Sequence, residues 1–145
     1  MLSNTRTVRV QWGDCDPAGI VFYPRYFEWF DASTILLFEK ATGMTKIRML
    51  EKYHGAGLAL LEARAVFKIA SQYGEDLQID TEITEFRRSS FCVQHKVRKG
   101  GALALEGFET RLWTVRDPAD PARLKSAPVP DAVRQAFGAS PAAGG

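Results

Sequence analysis

One acidic residue, Asp16, lies in a short segment whose composition is that of an active-site turn. Residues 13–26, GDCDPAGIVFYPRY, begin as a polar turn and continue into an aromatic helix, in which Pro24 suits the first turn. A helix start exposes unpaired backbone N–H groups and a partial positive charge, which stabilise an oxygen that becomes negative during a reaction. Asp16 would attack a carbonyl held against those donors, or activate water to do so. This pairing indicates acyl transfer.

The same segment permits two competing interpretations. Asp is favoured in turns and helix caps because its side chain accepts hydrogen bonds from nearby backbone N–H groups, so Asp14 or Asp16 would be a cap only. Cys15 is a rival nucleophile, since a helix N-terminus favours the thiolate. No His lies at a clearly partnering position, and neighbouring residues of an extended turn point to opposite sides. We therefore favour Asp16, and we assign structural roles to Asp14 and Asp31.

The fourteen-residue string closely resembles the active-site segment of the 4-hydroxybenzoyl-CoA thioesterase family, whose members adopt the hotdog fold. The match includes Asp16, a Pro-Ala-Gly turn and a Tyr-Pro helix start. The resemblance implies that Asp16 is the catalytic carboxylate, either a nucleophile that forms a mixed anhydride or a general base for water. It also implies that the backbone N–H of Tyr23 is the oxyanion donor. The choice between the two roles of Asp16 stays open.

The resemblance further implies a basic corner that binds the nucleotide end of CoA. Arg87 and Arg88 match residues that contact the CoA phosphates in relatives, and we include Ser90 in this predicted site. Arginine suits phosphate because its fork of N–H donors binds the oxygens in pairs. Without the resemblance, two solvated charges at a strand end would be the default interpretation.

This sequence departs from the family pattern at that corner. Ser89 stands where the pattern has Lys, which predicts weaker nucleotide binding or a contribution from Lys96 or Arg98. The acyl pocket should be apolar and lined by the central helix and neighbouring strands, which suits a flat aromatic acyl group. The candidate lining residues, each as easily a core residue, are Phe22, Trp29, Phe67 and Phe91.

The resulting hypothesis is an acyl-CoA thioesterase that converts a benzoyl-type or hydroxybenzoyl-type thioester to the free acid and CoA, without a metal or other cofactor. Short or medium aliphatic acyl-CoA is the close second substrate class. Two further interpretations stay open: a thioesterase for acyl chains on a carrier protein, and a non-catalytic acyl-CoA binding module. The resemblance also implies a homodimer, with active sites completed across its interface, that pairs again into a homotetramer.

The composition limits the class of protein. The chain has 145 residues, 46% of them hydrophobic and 25% charged, which predicts one globular domain over residues 1–138. A formal net charge of +2 without a basic run argues against a nucleic-acid partner. Two cysteines without metal-ligand spacing predict a reduced, cytoplasmic setting and no metal site. No apolar stretch is long enough for a signal peptide or a membrane span, so we expect no membrane partner.

Hydrophobic periodicity predicts the elements that position these residues. Residues 7–12 alternate as a half-buried strand, and residues 22–42 form a long helix that Gly43 ends. Because this helix is apolar nearly all round, other elements should enclose it. Further strands are predicted at residues 58–70, 77–84, 91–98 and 102–116, with a bulge at Gly107. The prediction is an α+β fold, an antiparallel sheet of about five strands around one helix, which agrees with the hotdog fold that the resemblance implies.

Two segments have weaker patterns. Residues 46–53 fit a short helix, and the next residue, His54, is interpreted as a loop residue rather than a base. Beyond Asp117 the chain is rich in Pro and Ala and is assumed to be solvated, with one or two helical turns at residues 131–137. Residues 139–145 are predicted to be a disordered tail.

Overall fold

One antiparallel sheet and one long helix form the body of the protein, as a computed structural model that describes residues 1–139 shows. The strands are β1 (Ser3–Arg9), β2 (Gly57–Phe67), β3 (Asp76–Phe86), β4 (Ser90–Lys99), β5 (Ala102–Arg116) and β6 (Leu124–Ser126). The helices are α1 (Pro24–Thr42), α2 (Lys46–Lys52) and α3 (Asp131–Ala136). The strand order is β1-β3-β4-β5-β2, with the short β6 paired to the end of β5.

The predicted long helix is confirmed, with a start two residues later than expected. Pro24 occupies its first turn, where the missing N–H costs nothing. Gly43 ends it with a left-handed backbone, φ 70°, and donates its N–H to the carbonyl of Glu39. The short helix α2 is also confirmed, and the Thr45 side chain caps it by accepting a hydrogen bond from the N–H of Arg48.

The five predicted strands are confirmed, although their ends differ. The first begins at Ser3 and stops at Arg9, because Trp12 lies instead in a 3-10 turn, Trp12–Asp14. The turn between β4 and β5 is a two-residue hairpin in which Gly100 and Gly101 both have positive φ, as the predicted Gly-Gly turn requires. The additional strand β6 has three residues, so the sheet has six strands within residues 1–139.

The core lies between α1 and the sheet. The N-terminal half of α1 buries Tyr26 and Phe30 in a cluster with β3 residues such as Leu77. The C-terminal half buries Leu37 and Phe38 in a second cluster, which extends to α2 and α3. The prediction that other elements enclose α1 holds for one side of the helix only. Residues on the other side, such as Leu36, which is 38% exposed, face away from the sheet.

The predicted bulge at Gly107 is wrong. Gly107 pairs in regular register with Ala65 of β2 and His95 of β4. A Cβ at position 107 would lie 2.3 Å from the ring of Phe30. Glycine is therefore required so that this helix ring can lie directly on the strand.

Beside Phe30, a buried polar network fastens α1 to the sheet. The Glu109 carboxylate accepts hydrogen bonds from the Thr34 hydroxyl, at 2.6 Å, and from the Arg111 guanidinium, at 3.1 and 2.9 Å. The His95 Nε2 atom lies 3.2 Å from the same carboxylate, and its Nδ1 atom lies 2.8 Å from the Thr81 hydroxyl. Burial alone would raise the pKa of Glu109, but hydrogen bonds and charges from His95 and Arg111 outweigh it and lower the pKa to about 2.

Arg111 extends this network to the surface. Its guanidinium donates to the Asp31 carboxylate of α1 at 2.8 Å and to the Leu58 carbonyl of β2 at 3.1 Å. Arg111 thereby joins α1, β5 and β2, and Asp31 has the structural partner that its sequence position did not reveal. His95, another network residue that sequence reasoning did not single out, is a buried core residue.

The assumption that the Pro- and Ala-rich segment is merely solvated is wrong for its second half. Val129, Val133 and Phe137 are buried in the core, and the Leu2 N–H donates to the Phe137 carbonyl. The predicted disordered tail lies outside the described residues except for Ala139, whose N–H donates to the Arg134 carbonyl. Among residues 1–139, no helix has the length and hydropathy needed to cross a bilayer.

The first prediction concerns Gly107. Replacing it by Ala should destabilise the protein by about 1–3 kcal/mol, because the new methyl group overlaps the Phe30 ring. Urea unfolding measures the loss. Gly57→Ala is the matched control, since a Cβ there meets nothing closer than 3.7 Å. The double variant with Phe30→Leu should recover part of the loss, and a Gly107→Ala protein as stable as wild type would contradict the proposed contact.

A second prediction follows from the lowered pKa of Glu109. A carboxylate whose pKa falls from 4.5 to about 2 on folding contributes stability above pH 4.5, and that contribution disappears as the pH falls toward 2. Glu109→Gln should lower the free energy of unfolding at pH 7 by about 3–5 kcal/mol, because Arg111 loses its buried partner. Its unfolding free energy should also decline less steeply than that of wild type between pH 4.5 and 2.5.

Urea titrations at a series of pH values test this prediction. Glu106→Gln is the control, since Glu106 lies on the opposite face of β5 and pairs only with Gln94 among the described residues. An equal acid dependence in wild type and Glu109→Gln would show that the buried carboxylate does not account for it.

Candidate active site

Asp16 and Tyr23 lie on a small hairpin that connects the 3-10 turn to α1. Its arms are joined by hydrogen bonds from the Phe22 N–H to the Asp14 carbonyl, at 2.8 Å, and from the Asp16 N–H to the Ile20 carbonyl, at 2.9 Å. The structure therefore places on one short segment the two residues that the sequence assigned to catalysis, Asp16 at the tip of the hairpin and Tyr23 where it enters α1.

The two carboxylate oxygens of Asp16 differ in their hydrogen bonds. Its Oδ1 accepts a hydrogen bond from the Ala18 N–H at 2.9 Å, which is the capping role considered for it from sequence. Within residues 1–139, no hydrogen bond is found to Oδ2. Asp14 has only the structural role, since its carboxylate accepts from the Gln11 N–H at 2.8 Å and closes the 3-10 turn. One carboxylate oxygen of Asp16 thus holds the turn, and the other has no hydrogen bond within residues 1–139.

The Tyr23 backbone N–H is an unpaired donor at the start of α1. The residue has a helical backbone, φ −54° and ψ −33°, and precedes Pro24, which has no N–H of its own. The neighbouring N–H groups of Arg25 and Tyr26 donate to the carbonyls of Phe22 and Tyr23. In the part of the chain that the structure describes, the Tyr23 N–H has no acceptor, so it is available to a ligand at the positive end of the helix dipole.

Cys15, the rival nucleophile, is half-buried between the core and a cavity that Asp16 also lines. Its side chain packs against the core cluster around Val10 and Phe30, and its sulfur lies 3.7 Å from the Gln11 carbonyl. The two candidate nucleophiles of the hairpin therefore line one cavity.

Two cavities of about 320 Å³ flank the hairpin. One is lined by Asp16 together with Trp12 and Tyr73, two exposed aromatic residues whose rings meet edge to face at 5.6 Å. The other is lined by Tyr23, Tyr26 and other largely apolar side chains. Sequence reasoning did not single out Trp12, Tyr73 or Tyr26. Trp12 and Tyr26 lie within four positions of Asp16 and Tyr23, whereas the proximity of Tyr73 depends on tertiary packing.

The four aromatic residues considered for the acyl pocket lie in different places in the structure. Phe67 lines the cavity beside Tyr23 and packs against Tyr26 at 5.8 Å. Trp29 also packs against Tyr26, at 5.3 Å, and Phe22 is 46% exposed. Phe91 is fully buried in the core cluster of the C-terminal half of α1, so it belongs to the core rather than to either cavity.

Arg87 and Arg88 lie in the turn between β3 and β4, and Ser90 is the first residue of β4. The Arg87 N–H donates to the Ser90 carbonyl, and both arginine side chains are exposed. The Arg87 guanidinium forms two hydrogen bonds with the Glu85 carboxylate, at 3.2 and 3.1 Å, and they raise its pKa. Arg88 has a weak contact, 3.5 Å, with the Ser89 hydroxyl.

Lys96 and Arg98 do not join this corner. They lie six and eight residues along β4 from Ser90, about 20 and 26 Å away in an extended strand. Arg98 instead pairs with Asp80 at 3.0 Å. The alternative in which these two residues substitute for the missing Lys therefore has no support from the fold.

A buried arginine of α3 holds the corner in shape. The Arg134 guanidinium donates to the carbonyls of Arg87 and Arg88, the latter at 3.1 Å, and the Val129 N–H donates to the Arg88 carbonyl at 2.9 Å. Arg134 is 3% exposed, and its guanidinium lies 5.4 Å from the ring centre of Phe86. The C-terminal segment thus orients the basic corner, a role that its composition gave no signal for.

The hairpin that carries Asp16 and the basic corner lie at opposite ends of the sheet. Tyr73, beside Asp16, precedes the first residue of β3, whereas Arg87 follows its last residue. The eleven residues of β3 span about 33 Å. No contact between the two groups is found within residues 1–139, and no group of three or more His, Cys, Asp or Glu side chains there is arranged to hold a metal ion.

Comparison with known proteins decides the family. Residues 10–137 match the family model described as thioesterase-like superfamily. The chain belongs to this superfamily. It is also 35% identical over 134 residues to a 4-hydroxybenzoyl-CoA thioesterase of Pseudomonas sp. (strain CBS-3), across 88% of this chain and 92% of that protein. Membership makes this protein a thioester hydrolase.

Solved structures agree with this assignment. A 4-hydroxybenzoyl-CoA thioesterase in which one Asp is replaced by Asn, in complex with 4-hydroxybenzoyl-CoA, superposes with a TM-score of 0.85 and 31% identity over 93% of this chain and 98% of that one. A gentisyl-coenzyme A thioesterase superposes with a TM-score of 0.79 and 30% identity over 92% and 99% of the two chains. The fold is the hotdog fold that the sequence predicted.

Proposed function

We propose that this protein hydrolyses an aromatic acyl-CoA, of benzoyl or hydroxybenzoyl type, to the free acid and CoA. The observation that carries the proposal is the hairpin on which Asp16 keeps one oxygen without a partner and Tyr23 keeps an unpaired N–H at the start of α1. The two relatives described above are named for 4-hydroxybenzoyl-CoA and gentisyl-CoA, which are both aromatic acyl thioesters. Their names support the aromatic substrate class.

In the proposed mechanism, the thioester carbonyl oxygen accepts a hydrogen bond from the Tyr23 N–H. Asp16 then attacks the carbonyl carbon, or removes a proton from a water that attacks it. As the tetrahedral intermediate forms, the α1 N-terminus stabilises the negative oxygen, and CoA leaves as the thiolate. With Asp16 as nucleophile, one water then hydrolyses the resulting anhydride, which releases the acid and regenerates the carboxylate. An N–H donor in this role contributes about 10²–10³ in rate.

We further propose that the basic corner holds the CoA phosphates of a substrate bound to a second copy of the chain. Arg87 and Arg88 are about 33 Å, the length of β3, from the hairpin of their own chain. A substrate bound to one chain alone would therefore have to extend along the whole sheet to reach both. β2 offers an interface, because it is an edge strand and carries exposed apolar residues such as Leu60 and Leu61. A homodimer, paired again into a homotetramer, is the assembly we expect.

The third prediction tests Asp16. Asp16→Asn should lower kcat for 4-hydroxybenzoyl-CoA by at least about 10²-fold, because the amide neither attacks nor accepts a proton. The fold should persist, since the Asn side-chain oxygen still accepts a hydrogen bond from the Ala18 N–H. A thiol-release assay measures the rate, and calorimetry measures retained substrate binding. Cys15→Ala is the matched control and should keep a rate near wild type. A variant Asp16→Asn with a rate near wild type would remove Asp16 from the mechanism.

A fourth prediction concerns the ion pair at the basic corner. Glu85 neutralises Arg87 before any phosphate arrives, so Glu85→Gln should lower the KM for the CoA thioester, by up to about fivefold for an exposed pair. Arg87→Ala should raise the KM, and both variants should leave kcat unchanged. The corresponding N-acetylcysteamine thioester, which has no phosphates, is the control substrate, and its KM should not respond. Equal shifts in KM for both substrates would exclude a phosphate role for this corner.

A further inference from the structure

The loop between β2 and β3, residues 68–75, lies against the hairpin that carries Asp16. The Val21 N–H of the hairpin donates to the Ser71 carbonyl of the loop at 2.9 Å. One residue earlier in the hairpin, Ile20 pairs with the next loop residue in an isolated β-bridge. Backbone pairing of this kind fixes the distance and direction between two segments. The position of the hairpin therefore depends on the position of the loop.

The same loop forms walls of the two cavities that flank the hairpin. Residues 68–71 line the cavity beside Tyr23, and Tyr73 lines the cavity beside Asp16. The Tyr73 ring also meets the ring of Trp12 edge to face at 5.6 Å. A displacement of the loop would therefore change both cavities and the hairpin between them.

One lysine at the end of β4, Lys99, closes this loop. Its ammonium donates to the Ala70 carbonyl at 2.7 Å and lies 2.7 Å from the Glu75 carboxylate. The other oxygen of that carboxylate accepts a hydrogen bond from the Gln72 N–H, also at 2.7 Å. The hydrogen bond from Lys99 lowers the pKa of Glu75, which keeps the carboxylate charged at neutral pH. Lys99 thus joins the two ends of the loop segment that contacts the hairpin.

We propose that Lys99 and Glu75 position the Asp16 hairpin for thioester hydrolysis. The ion pair holds the loop, and the loop holds the hairpin, so that Asp16 keeps its orientation toward the bound thioester. The inference rests on the proposed role of Asp16 and adds two residues from outside its motif. Lys99 lies outside both cavities as residues 1–139 form them, so it acts through the loop and not on the substrate.

The expected effect is larger on the rate than on stability. A partly exposed ion pair contributes little to the free energy of unfolding. A displacement of about 1 Å in a reacting group, in contrast, can lower the rate by about 10²-fold. Loss of the Lys99 ammonium should therefore reduce kcat in a protein that is still folded.

The test compares Lys99→Met with Arg98→Met, its matched control. Arg98 precedes Lys99 on β4 and forms an ion pair of similar exposure with Asp80, but within residues 1–139 it makes no hydrogen bond to the loop. With 4-hydroxybenzoyl-CoA, Lys99→Met should lower kcat by about tenfold or more and leave KM within about threefold of wild type, because the basic corner is unchanged. Arg98→Met should keep both values. The thermal midpoints of the two variants should agree within about 3 °C.

Hydrogen exchange gives a second measurement, which needs no substrate. In Lys99→Met, the amide hydrogens of residues 13–22 and 68–75 should exchange at least about fivefold faster than in wild type, because both segments lose their support. Arg98→Met should leave these rates unchanged. Lys99→Arg should restore slow exchange and most of kcat, because a guanidinium can donate to both acceptors.

These results separate failure of the inference from failure of the proposed function. Unchanged exchange in residues 13–22 of Lys99→Met, or faster exchange with an unchanged kcat, would overturn the inference and leave the proposed function standing. An equal loss of kcat in Lys99→Met and Arg98→Met would show a general effect on the sheet and would overturn it as well. If wild type hydrolyses no aromatic acyl-CoA, the proposed function fails, and exchange in residues 13–22 decides whether Lys99 positions the hairpin.

Discussion

The buried Glu109 carboxylate is the interaction on which the rest of the structure depends. It lies 5% exposed between sheet and helix and is bonded by Thr34 of α1 and Arg111 of β5, with His95 of β4 beside it. An isolated carboxylate at this depth would be neutral or would destabilise the fold. Here the partners come from α1, β4 and β5. The charged carboxylate is therefore stable only when α1 lies at one position along the sheet.

The position of α1 on the sheet also fixes where its first turn lies. A helix fixed at Thr34 and Asp31 has its first turn fixed as well, because the helix between them and Tyr23 is rigid. Gly107 contributes by letting Phe30 lie directly on β5. The unpaired Tyr23 N–H therefore lies at the start of a helix whose position the core determines. The hairpin that carries Asp16 leads directly into that helix start. Preorganised donors of this kind need no rearrangement when charge develops.

The sequence predicted what depends on local patterns. The strand alternation, Pro24 at the helix start and Gly43 at its end are short-range signals, and the hairpin residues Asp16 and Tyr23 lie seven positions apart in one motif. The features that were missed are long-range: Thr34 and Glu109 are 75 positions apart, and Arg134 reaches a corner 46 to 47 positions earlier. A glycine in a strand fits a bulge as well as a close approach, and only the opposing Phe30 ring distinguishes the two.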